Sequence, residues 1–499
     1  MNSVVKTTLW ALVLLALASC SSEEESLSVE AAADEAVASA PVQSAESELT
    51  ESDSRPNIVF ILVDDMGFKD VGFNNSEIST PTLDRIAAEG VQLDRNYAYP
   101  ICSPTRAALL SGQNPLAHGV DAPMSDKKNM PLDIKLMPEY FQDIGYETLM
   151  VGKWHLGLSN TDHWPIARGF DYHYGFLAGW TDFYSHVYAG GVDWQRNGVT
   201  VREEGHATDL MTDDAVRLIN ERDSGAPFFL YLSYNAPHSP LLHPPAETGL
   251  VNEEGADDRS VYSEMVTHMD QGIAEVVDAL DSTGLLENTI IVFSSDNGGS
   301  TRAGANNDPF RGQKGSTLEG GVRVPGAIWA PGLIDGGKLL EQPIVMTDWL
   351  PTLLDAVGSD PSMVENLEGQ SMWAAIAEDQ VIDHAPFVLG ANSNRAAYDW
   401  PWKLVQINAE PGSADNIELY NIVEDPTEQN NLLEQEPERV SALVDILQAV
   451  PLAESVRSSD RNGSVSTWYF REDNGLYDYN LSINEVREPW AEAAIIGSE

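Results

Sequence analysis

Continuous apolar runs alternate with amphipathic stretches through the middle of this chain. Over Asp258–Ser282, for example, apolar residues fall at helical spacing. Four apolar runs have the pattern expected of strands that are buried on both faces of a sheet. These runs are Asn57–Val63, Tyr146–Val151, Phe228–Ser233 and Thr289–Ser294. Strands alternating with helices predict an α/β fold, in which a large, mostly parallel or mixed sheet is sandwiched by helices.

Local signals mark the ends of two shorter helices. Thr80-Pro81 provides a cap and a first-turn proline, and Gly90 closes that helix. Pro104 and Gly112 mark the start and stop of the other. Cys102 therefore lies at a helix N-terminus, where free N–H groups and the macrodipole favour an anion. The alternative is a structural cysteine that is buried as a small hydrophobic side chain.

The pattern changes after about Asp383. Trp402–Asn408 and Ile417–Ile422 alternate like short strands, and Glu436–Val450 has the character of a helix. We predict a main domain over residues 55–382. A smaller C-terminal α+β subdomain with a short antiparallel sheet, together with a tail, is predicted over residues 383–499.

The N-terminus has the features of an export signal. Lys6 precedes the apolar run Trp10–Ala18, which at nine residues is shorter than the ~20 needed to cross a bilayer. Leu17–Cys20 resembles the lipobox of bacterial lipoproteins. That resemblance implies a signal peptide over residues 1–19 and a lipidated Cys20. The protein would then be exported and held at the bacterial cell envelope, in the periplasm or outer membrane, by its lipid alone. An ordinary secretory signal is the alternative.

Charge sharpens this picture. Residues 21–54 hold ten acidic residues and no basic or aromatic ones, so we interpret 20–54 as a lipidated cysteine followed by a disordered tether. The whole chain has 28 Lys+Arg, 78 Asp+Glu and a net charge of −50. This charge excludes a general nucleic-acid binder and a protein that binds anionic membrane surfaces. It suits a medium in which salt screens self-repulsion.

Polar residues follow each of the four apolar runs. The groups are Asp64-Asp65, Gly152–His155, Asn235–His238 and Asp296–Gly299. Because the carboxyl ends of parallel strands meet at one edge of a sheet, these groups are expected to lie together. Four of their side chains offer only oxygen, which favours Ca²⁺ or Mg²⁺ over zinc: Asp64, Asp65, Asp296 and Asn297. The alternative is that these acids cap helices or face solvent.

The string Cys102-x-Pro104-x-Arg106, followed by Leu109–Gly112, resembles the signature of type I sulfatases, which belong to the alkaline-phosphatase-like superfamily. The resemblance runs from about Asn57 to about Asn431. It includes the strings Val63–Gly67, Gly152–Gly157, Ser295–Gly299 and Arg311–Lys314. Three further strings look most like the arylsulfatase B (N-acetylgalactosamine-4-sulfatase) branch: Tyr184–His186, Glu319–Arg323 and Thr347–Thr352.

This resemblance implies a sulfuric ester hydrolase that acts on a sulfated polysaccharide or its oligosaccharides. In the family, a maturation enzyme oxidises the cysteine to Cα-formylglycine, and the hydrate of that aldehyde is the nucleophile. The family also implies a metal ion, Ca²⁺ in preference to Mg²⁺. Its ligands here would be Asp64, Asp65, residue 102, Asp296 and Asn297.

The resemblance also assigns roles to other residues. Arg106 would hold the hydrate or the sulfate, and Lys153 and Lys314 would bind sulfate. His238, with Lys314, would protonate the leaving oxygen, and His155 would take the proton from the second hydroxyl. Each of these side chains could instead be an ordinary surface, loop or ion-paired residue.

The substrate is less defined, because the chain lacks the disulfide cysteines of animal members and its C-terminal region does not align with them. His186 is a candidate for a sugar subsite, as are His118 and His243. Arg311 and Arg323 could be structural or could support the site. The nearest alternative activity is a phosphonate monoester hydrolase or phosphodiesterase of the same superfamily. A lipid-anchored polysaccharide-binding protein, with Cys102 never oxidised, is a third possibility.

Overall fold

The computed structural model describes residues 54–124, 128–158, 160–188, 191–222, 225–248, 250, 257–408 and 416–451. The predicted signal peptide, Cys20, the tether up to residue 53 and the tail after residue 451 lie outside these ranges. Within them, no helix is long and apolar enough to cross a membrane.

The strands are β1 Asn57–Val63, β2 Val91–Leu93, β3 Asn96–Tyr97, β4 Glu147–Lys153, β5 Tyr172–Phe176, β6 Val187–Tyr188, β7 Gly191–Val192, β8 Gln195–Arg196, β9 Val199–Thr200, β10 Phe228–Ser233, β11 Thr289–Ser295, β12 Arg323–Val324, β13 Gly326–Trp329, β14 Lys338–Leu340, β15 Ile344–Val345, β16 Phe387–Ala391, β17 Asn394–Asp399, β18 Trp402–Gln406 and β19 Ile417–Asn421. The helices are α1 Pro81–Glu89, α2 Cys102–Ser111, α3 Met137–Asp143, α4 Ala207–Asn220, α5 Asp258–Ser282, α6 Glu319–Val322, α7 Trp349–Ala356, α8 Trp373–Glu378 and α9 Pro437–Ala449.

The large sheet has the strand order β14-β2-β13-β11-β1-β10-β4-β5-β8-β9. Its centre, from β11 to β5, is parallel, whereas β13 and β8 pair antiparallel with their inner neighbours. The four predicted strands are β1, β4, β10 and β11. They are neighbours at this centre, which explains why each contains a continuous apolar run.

Successive residues of β1 face two separate cores. Phe60 and Leu62 pack on one side with residues of α2, α3 and α7. Ile61 and Val63 pack on the other side with residues of α1, α4 and α5. Because side chains alternate along a strand, a continuous apolar run requires helices on both faces. The predicted α/β sandwich is therefore confirmed.

The C-terminal part contains an antiparallel sheet in the order β16-β17-β18-β19. Leu404 and Leu419 of this sheet pack against Leu443 and Leu447 of α9. This confirms the predicted small antiparallel sheet, while the domain limits stay predictions. The sequence did not indicate β16 and β17, nor the short antiparallel strands of the large sheet, which are stabilised by their pairing partners more than by a local pattern.

Candidate active site

The predicted site residues lie at the carboxyl edge of the parallel strands. Asp64 directly follows β1, Asp296 directly follows β11, and Lys153 is the last residue of β4. These three side chains are fully buried. Because β11, β1, β10 and β4 are consecutive and parallel, their ends bring together residues that are more than 200 positions apart in the chain.

Helix α2 presents Cys102 to this edge. It begins at Cys102 and ends before Gly112, whose φ of 67° gives the left-handed conformation that commonly terminates a helix. All ten residues of α2 are buried. Burial raises the pKa of the Cys102 thiol to about 12, so the unmodified side chain is a neutral thiol near neutral pH.

Two lysines neutralise the first carboxylate pair. Lys153 Nζ lies 2.6 Å from Asp64 Oδ2, and both side chains are fully buried. Lys314 Nζ lies 2.6 Å from Asp65 Oδ1 and is partly exposed. Burial alone would raise the pKa of Asp64, but the charge of Lys153, and then that of His238, outweighs burial and lowers it.

Arg106 holds the second carboxylate and two strand ends. Its Nη2 donates to Asp296 Oδ2 at 2.9 Å, and its Nε donates to the same oxygen at 3.2 Å. Its Nη1 donates to the Lys153 carbonyl at 3.0 Å and to Ser233 Oγ at 2.5 Å. The guanidinium thereby fixes the ends of β4, β10 and β11 relative to one another. Burial, and then the charge of Asp64, raises the pKa of Asp296 to about 6.

The cluster fits a divalent cation. Asp64, Asp65, Cys102 and Asp296 each place one ligand atom within 4.8 Å of the others. Asn297 Nδ2 donates to Asp65 Oδ1 at 2.7 Å, which leaves Asn297 Oδ1 without a hydrogen-bond partner in the described structure. Asp64 Oδ1 is likewise buried and unpartnered. Unpaired buried oxygens are costly, and a cation would satisfy both.

His155 is arranged as a proton acceptor. Its backbone φ is 60°, which is unusual for a residue with a side chain. Its Nε2 lies 3.2 Å from the Met124 carbonyl, which can only accept, so the proton lies on Nε2 and the lone pair on Nδ1. Nδ1 has no partner among the described residues. Burial and then the charge of Lys153 hold the pKa of His155 well below its ordinary value.

His238 and Lys314 approach the same carboxylate. His238 Nε2 lies 3.7 Å from Asp65 Oδ2, and Lys314 Nζ lies 2.7 Å from that oxygen. Burial lowers the pKa of His238. Burial also acts to lower the pKa of Lys314, but the negative charges of nearby groups, including Asp65 and Asp64, outweigh burial and raise this pKa well above its ordinary value. Of the two groups, Lys314 therefore carries a proton near neutral pH.

Ser233 contacts the site but was not assigned from the sequence, and Asn235 was named only as part of the polar group Asn235–His238, without a role. Ser233 accepts from Arg106, and Asn235 Nδ2 donates to the Thr181 carbonyl at 3.2 Å, leaving its buried Oδ1 unpartnered. The available signal was position, because Ser233 is the polar last residue of an apolar strand and Asn235 lies two residues beyond it.

The three histidines considered for a sugar subsite lie in different surroundings. His186 is 2% exposed and stacks on Trp194 with a centroid distance of 4.5 Å. His243 Nδ1 lies 2.7 Å from Glu264 Oε2. His118 lines a cavity of about 440 Å³. None of the described contacts joins His186 to the cluster around Cys102, and its subsite role stays a prediction.

The string Glu319–Arg323 begins in a second buried cluster. Glu319 accepts hydrogen bonds from Tyr97 at 2.8 Å and from Lys403 at 2.8 Å. Lys403 also lies 2.8 Å from Glu428 Oε1. We call Glu319, Lys403 and Glu428 the Glu319 network, and it joins α6 to β18 and to the chain that follows β19.

The two remaining arginines have structural contacts. Arg323 donates to Asp94 Oδ1 at 2.7 Å. Arg311 donates to the Tyr420 hydroxyl and to the Glu428 carbonyl, both at 3.0 Å. Of the two roles considered for these residues, the contacts favour the structural one.

Known proteins resemble this chain over the region that holds the site. The sulfatase family pattern matches residues 56–359, which include every predicted catalytic and metal-binding residue. Arylsulfatase J of Mus musculus is 37% identical over 341 residues, covering 66% of this chain but only 57% of its own length. N-acetylgalactosamine-6-sulfatase of Mus musculus is 31% identical over 383 residues, covering 70% of this chain and 72% of its own.

Solved structures have the same architecture. Ps i-CgsB in complex with k-i-k-neocarrahexaose superposes with a TM-score of 0.74 at 30% identity, covering 81% of this chain and 94% of that one. The PsFucS1 sulfatase from Pseudoalteromonas sp. has a TM-score of 0.67 at 24% identity, covering 79% and 89%, and supports the fold alone. The family pattern covers more than half of the chain, and the chain therefore belongs to the sulfatase family of sulfuric ester hydrolases, as predicted, while its branch within that family stays a prediction.

Proposed function

We propose that this protein hydrolyses sulfate monoesters of a sulfated carbohydrate. One observation carries the proposal: the start of α2 places the Cys102 sulfur within 4.8 Å of one oxygen from each of three buried carboxylates, Asp64, Asp65 and Asp296. The ammonium groups of Lys153 and Lys314 pair with two of these carboxylates. A sulfate ester needs cations for its oxygens, a nucleophile for sulfur and a proton for the leaving alcohol. The site offers side chains suited to each requirement.

Nearby cationic side chains could bind the sulfate oxygens. The chain as a whole is strongly acidic, which opposes an anionic substrate at long range. Arg106, Lys153 and Lys314 concentrate cationic groups next to Cys102, where low dielectric strengthens short-range attraction. Substrate binding is thus expected to depend on a short-range pocket, and added salt would weaken the long-range repulsion.

The cation site fits Ca²⁺. Asp64, Asp65, Asp296 and Asn297 would hold the ion together with residue 102, because their oxygens are hard donors and two of them lack other partners. A bound Ca²⁺ would neutralise sulfate oxygens and lower the pKa of the nucleophile.

Modification of Cys102 supplies the nucleophile. A neutral thiol with a pKa near 12 is a weak nucleophile at neutral pH. Oxidation to Cα-formylglycine by a maturation enzyme would provide an aldehyde hydrate, whose one hydroxyl attacks sulfur and whose other later allows sulfate to be expelled. Ser103, the next residue, donates to the His155 carbonyl at 2.9 Å and keeps that histidine beside residue 102.

The proton transfers are assigned to side chains already described. His155 Nδ1, neutral and unpartnered, is suited to accept the proton that must leave the second hydroxyl. Lys314 carries a proton near neutral pH and, with His238, is suited to donate to the leaving alcohol oxygen. Arg106 keeps the strand ends aligned and its charge close to the sulfate.

The test compares esters of sulfur and phosphorus. The full chain, expressed with its maturation enzyme, is incubated with matched aryl sulfate, aryl phosphate and phenylphosphonate monoester substrates. Sulfate release at least tenfold faster than the others supports the proposal. Faster cleavage of the phosphorus esters would replace it with the phosphonate hydrolase or phosphodiesterase alternative, and cleavage of none would favour the polysaccharide-binding alternative.

The carbohydrate class can be narrowed by a second panel. Ps i-CgsB was solved with k-i-k-neocarrahexaose, and two of the relatives are an arylsulfatase and an N-acetylgalactosamine-6-sulfatase. We infer a sulfated glycan, with sulfated algal galactans ahead of glycosaminoglycans because extreme acidity suits a salty medium. The test measures sulfate release from oligosaccharides of both classes. Release from glycosaminoglycan oligosaccharides alone would show that glycosaminoglycans, and not algal galactans, are the substrate class.

We further propose that the protein is exported and anchored through lipidated Cys20, which lies outside the described residues. Wild-type protein from its native envelope should require detergent for extraction. Cys20→Ala should leave the precursor unprocessed or release a soluble form. Full solubility of the wild-type mature protein without detergent would contradict the anchor.

A further inference from the structure

A second group of metal-ligating side chains lies between α4 and α5, apart from the residues around Cys102. His206 is the N-cap of α4, and Asp209 follows three residues later in the first turn. His268 projects from α5. One ligand atom from each of the three lies within 4.8 Å of the other two.

The two imidazoles are buried and incompletely hydrogen-bonded. His206 is 2% exposed and His268 is 4% exposed, and their ring centroids lie 5.0 Å apart. His268 Nε2 lies 2.6 Å from Asp209 Oδ1. His206 Nε2 and His268 Nδ1 have no partner among the described residues. Such unsatisfied buried nitrogens require an explanation, because each costs free energy in the folded state.

The hydrogen bond at Nδ1 of His206 is weak enough to be given up when Nε2 binds a metal ion. Its Nδ1 accepts from the Thr208 backbone N–H over a long 3.3 Å. Binding of a metal ion at Nε2 requires the tautomer with a proton on Nδ1, at the expense of this weak contact. Metal binding would therefore replace the long hydrogen bond between Thr208 and His206 with a metal–nitrogen bond at Nε2.

The surroundings favour a cation and give it access. Asp209 and His268 line a cavity of about 370 Å³, together with Asp213 and Glu275. The Asp209 side chain is 43% exposed, so an ion can reach it from solvent. Three carboxylates, Asp209, Asp213 and Glu275, therefore line this cavity.

We propose that His206, Asp209 and His268 form a Zn²⁺ site that ties the start of α4 to α5. Two imidazoles and one carboxylate are a common zinc ligand set, with water in the fourth position. The two imidazole nitrogens favour Zn²⁺ here, whereas the oxygen ligands of Asp64 and Asp296 favour Ca²⁺. The alternative is a plain hydrogen-bonded pair between Asp209 and His268, with no ion.

The experiment measures Zn²⁺ binding to the full chain by calorimetry, with excess Ca²⁺ present. A cysteine-free background, Cys20→Ala with Cys102→Ser, removes both thiols of the chain as competing zinc ligands. One Zn²⁺ per chain is expected, and Co²⁺ should give the visible absorption of a tetrahedral site. Asp209→Asn should weaken binding by roughly 100-fold or more, since even residues that only support a ligand cost 10–100-fold.

The matched control is Asp278→Asn, which removes the same charge from an exposed position on α5 outside the cluster. Its Zn²⁺ affinity should stay within about threefold of the parent, by the weak effect of screened surface charges. Asp209 is partly exposed, so its variant is expected to fold, and circular dichroism without metal checks this. The proposal is overturned if the parent binds no Zn²⁺, if Asp209→Asn binds as tightly as the parent, or if both variants lose binding equally.

Discussion

Two buried clusters of charge in this protein look alike in burial and differ in how completely they are hydrogen-bonded. The cluster around Cys102 contains Asp64, Lys153 and Asp296, all fully buried. The Glu319 network contains Glu319 and Lys403, also fully buried, and Glu428. Both are built from residues far apart in sequence.

Their unsatisfied atoms separate them. Both carboxylate oxygens of Glu319 accept hydrogen bonds, from Tyr97 and from Lys403. Glu428 Oε1 accepts no hydrogen bond from the described residues but is ion-paired with Lys403 at 2.8 Å. Around Cys102, by contrast, Asp64 Oδ1, Asn297 Oδ1 and His155 Nδ1 are buried without partners in the described structure. Burial of charge is therefore common to both clusters, whereas the three unpartnered atoms around Cys102 favour a ligand there, in line with the proposed function.

The largest expected effect is on activity at Cys102. Cys102→Ser should lower turnover of an aryl sulfate by roughly 10⁴-fold or more, the scale seen when a catalytic nucleophile is removed. Serine has a single hydroxyl and would trap sulfate on the protein. Thermal unfolding should change little, because serine is close in size to cysteine. Multiple turnovers by a Cys102→Ser variant, with the serine confirmed as unmodified by mass spectrometry, would contradict a catalytic role for residue 102. The cluster around it would then not differ in function from the Glu319 network.

The next effect is on stability in the Glu319 network. Lys403→Met removes the ammonium group that pairs with both Glu319 and Glu428, and among the described residues it leaves only Arg323, 3.8 Å from Glu319, as a nearby cation. The loss is expected to cost about 3–5 kcal/mol of unfolding free energy. Denaturant unfolding measures this cost. The control is Lys338→Met, since Lys338 pairs at 3.0 Å with a mostly exposed Asp379 and should contribute about 1 kcal/mol or less. Equal losses in the two variants would contradict a structural role for the network.

A smaller effect is expected at Asn297. Asn297→Ala removes one of the two unpartnered oxygens but no charge. Activity at limiting Ca²⁺ should fall by roughly 100-fold, and excess Ca²⁺ should partly restore it. Chelation of the wild type should abolish activity, with Ca²⁺ restoring it better than Zn²⁺. Full activity of the chelated wild type would show that the unpartnered oxygens do not mark a cation site.

The smallest effect concerns pH and His384, in the segment that leads into β16. His384 Nε2 lies 2.9 Å from Asp348 Oδ2. Burial acts to lower the pKa of His384, but the hydrogen bond and charge of Asp348 outweigh burial and raise it. The stabilisation is therefore fully present below pH 6.5 and is lost as pH rises through the raised pKa. Melting temperatures from pH 5.5 to 8.5 should fall more for wild type than for His384→Gln, and parallel profiles would refute this.

The local sequence was sufficient to predict the limits of a strand or helix when the hydrophobic pattern lies within that element. β1, β10 and α5 have the limits predicted for them, because an apolar run or a helical period is visible within the element itself. β4 extends two residues beyond its predicted end, to Lys153, because pairing with β5 continues through residues that are not apolar. Strands β16 and β17 were missed for the same reason, since their stability comes from each other and from β18.

The chemistry of the site divides in the same way. Residue types at strand ends indicated a metal site, because parallel strands end at a common edge. The resemblance of the string around Cys102 to the sulfatase signature indicated the sulfatase family. Which atoms are free there depended on three-dimensional packing: the lone pair on His155 Nδ1 is set by a carbonyl 31 residues away. Glu319 lies in a string that resembles family sequences, yet packing places it in an ion network in which both of its oxygens accept hydrogen bonds. Hydrogen bonds between distant segments determine which tautomer a histidine adopts, in which direction a pKa shifts and which lone pairs stay unpaired. No local sequence pattern identifies the partners in those hydrogen bonds.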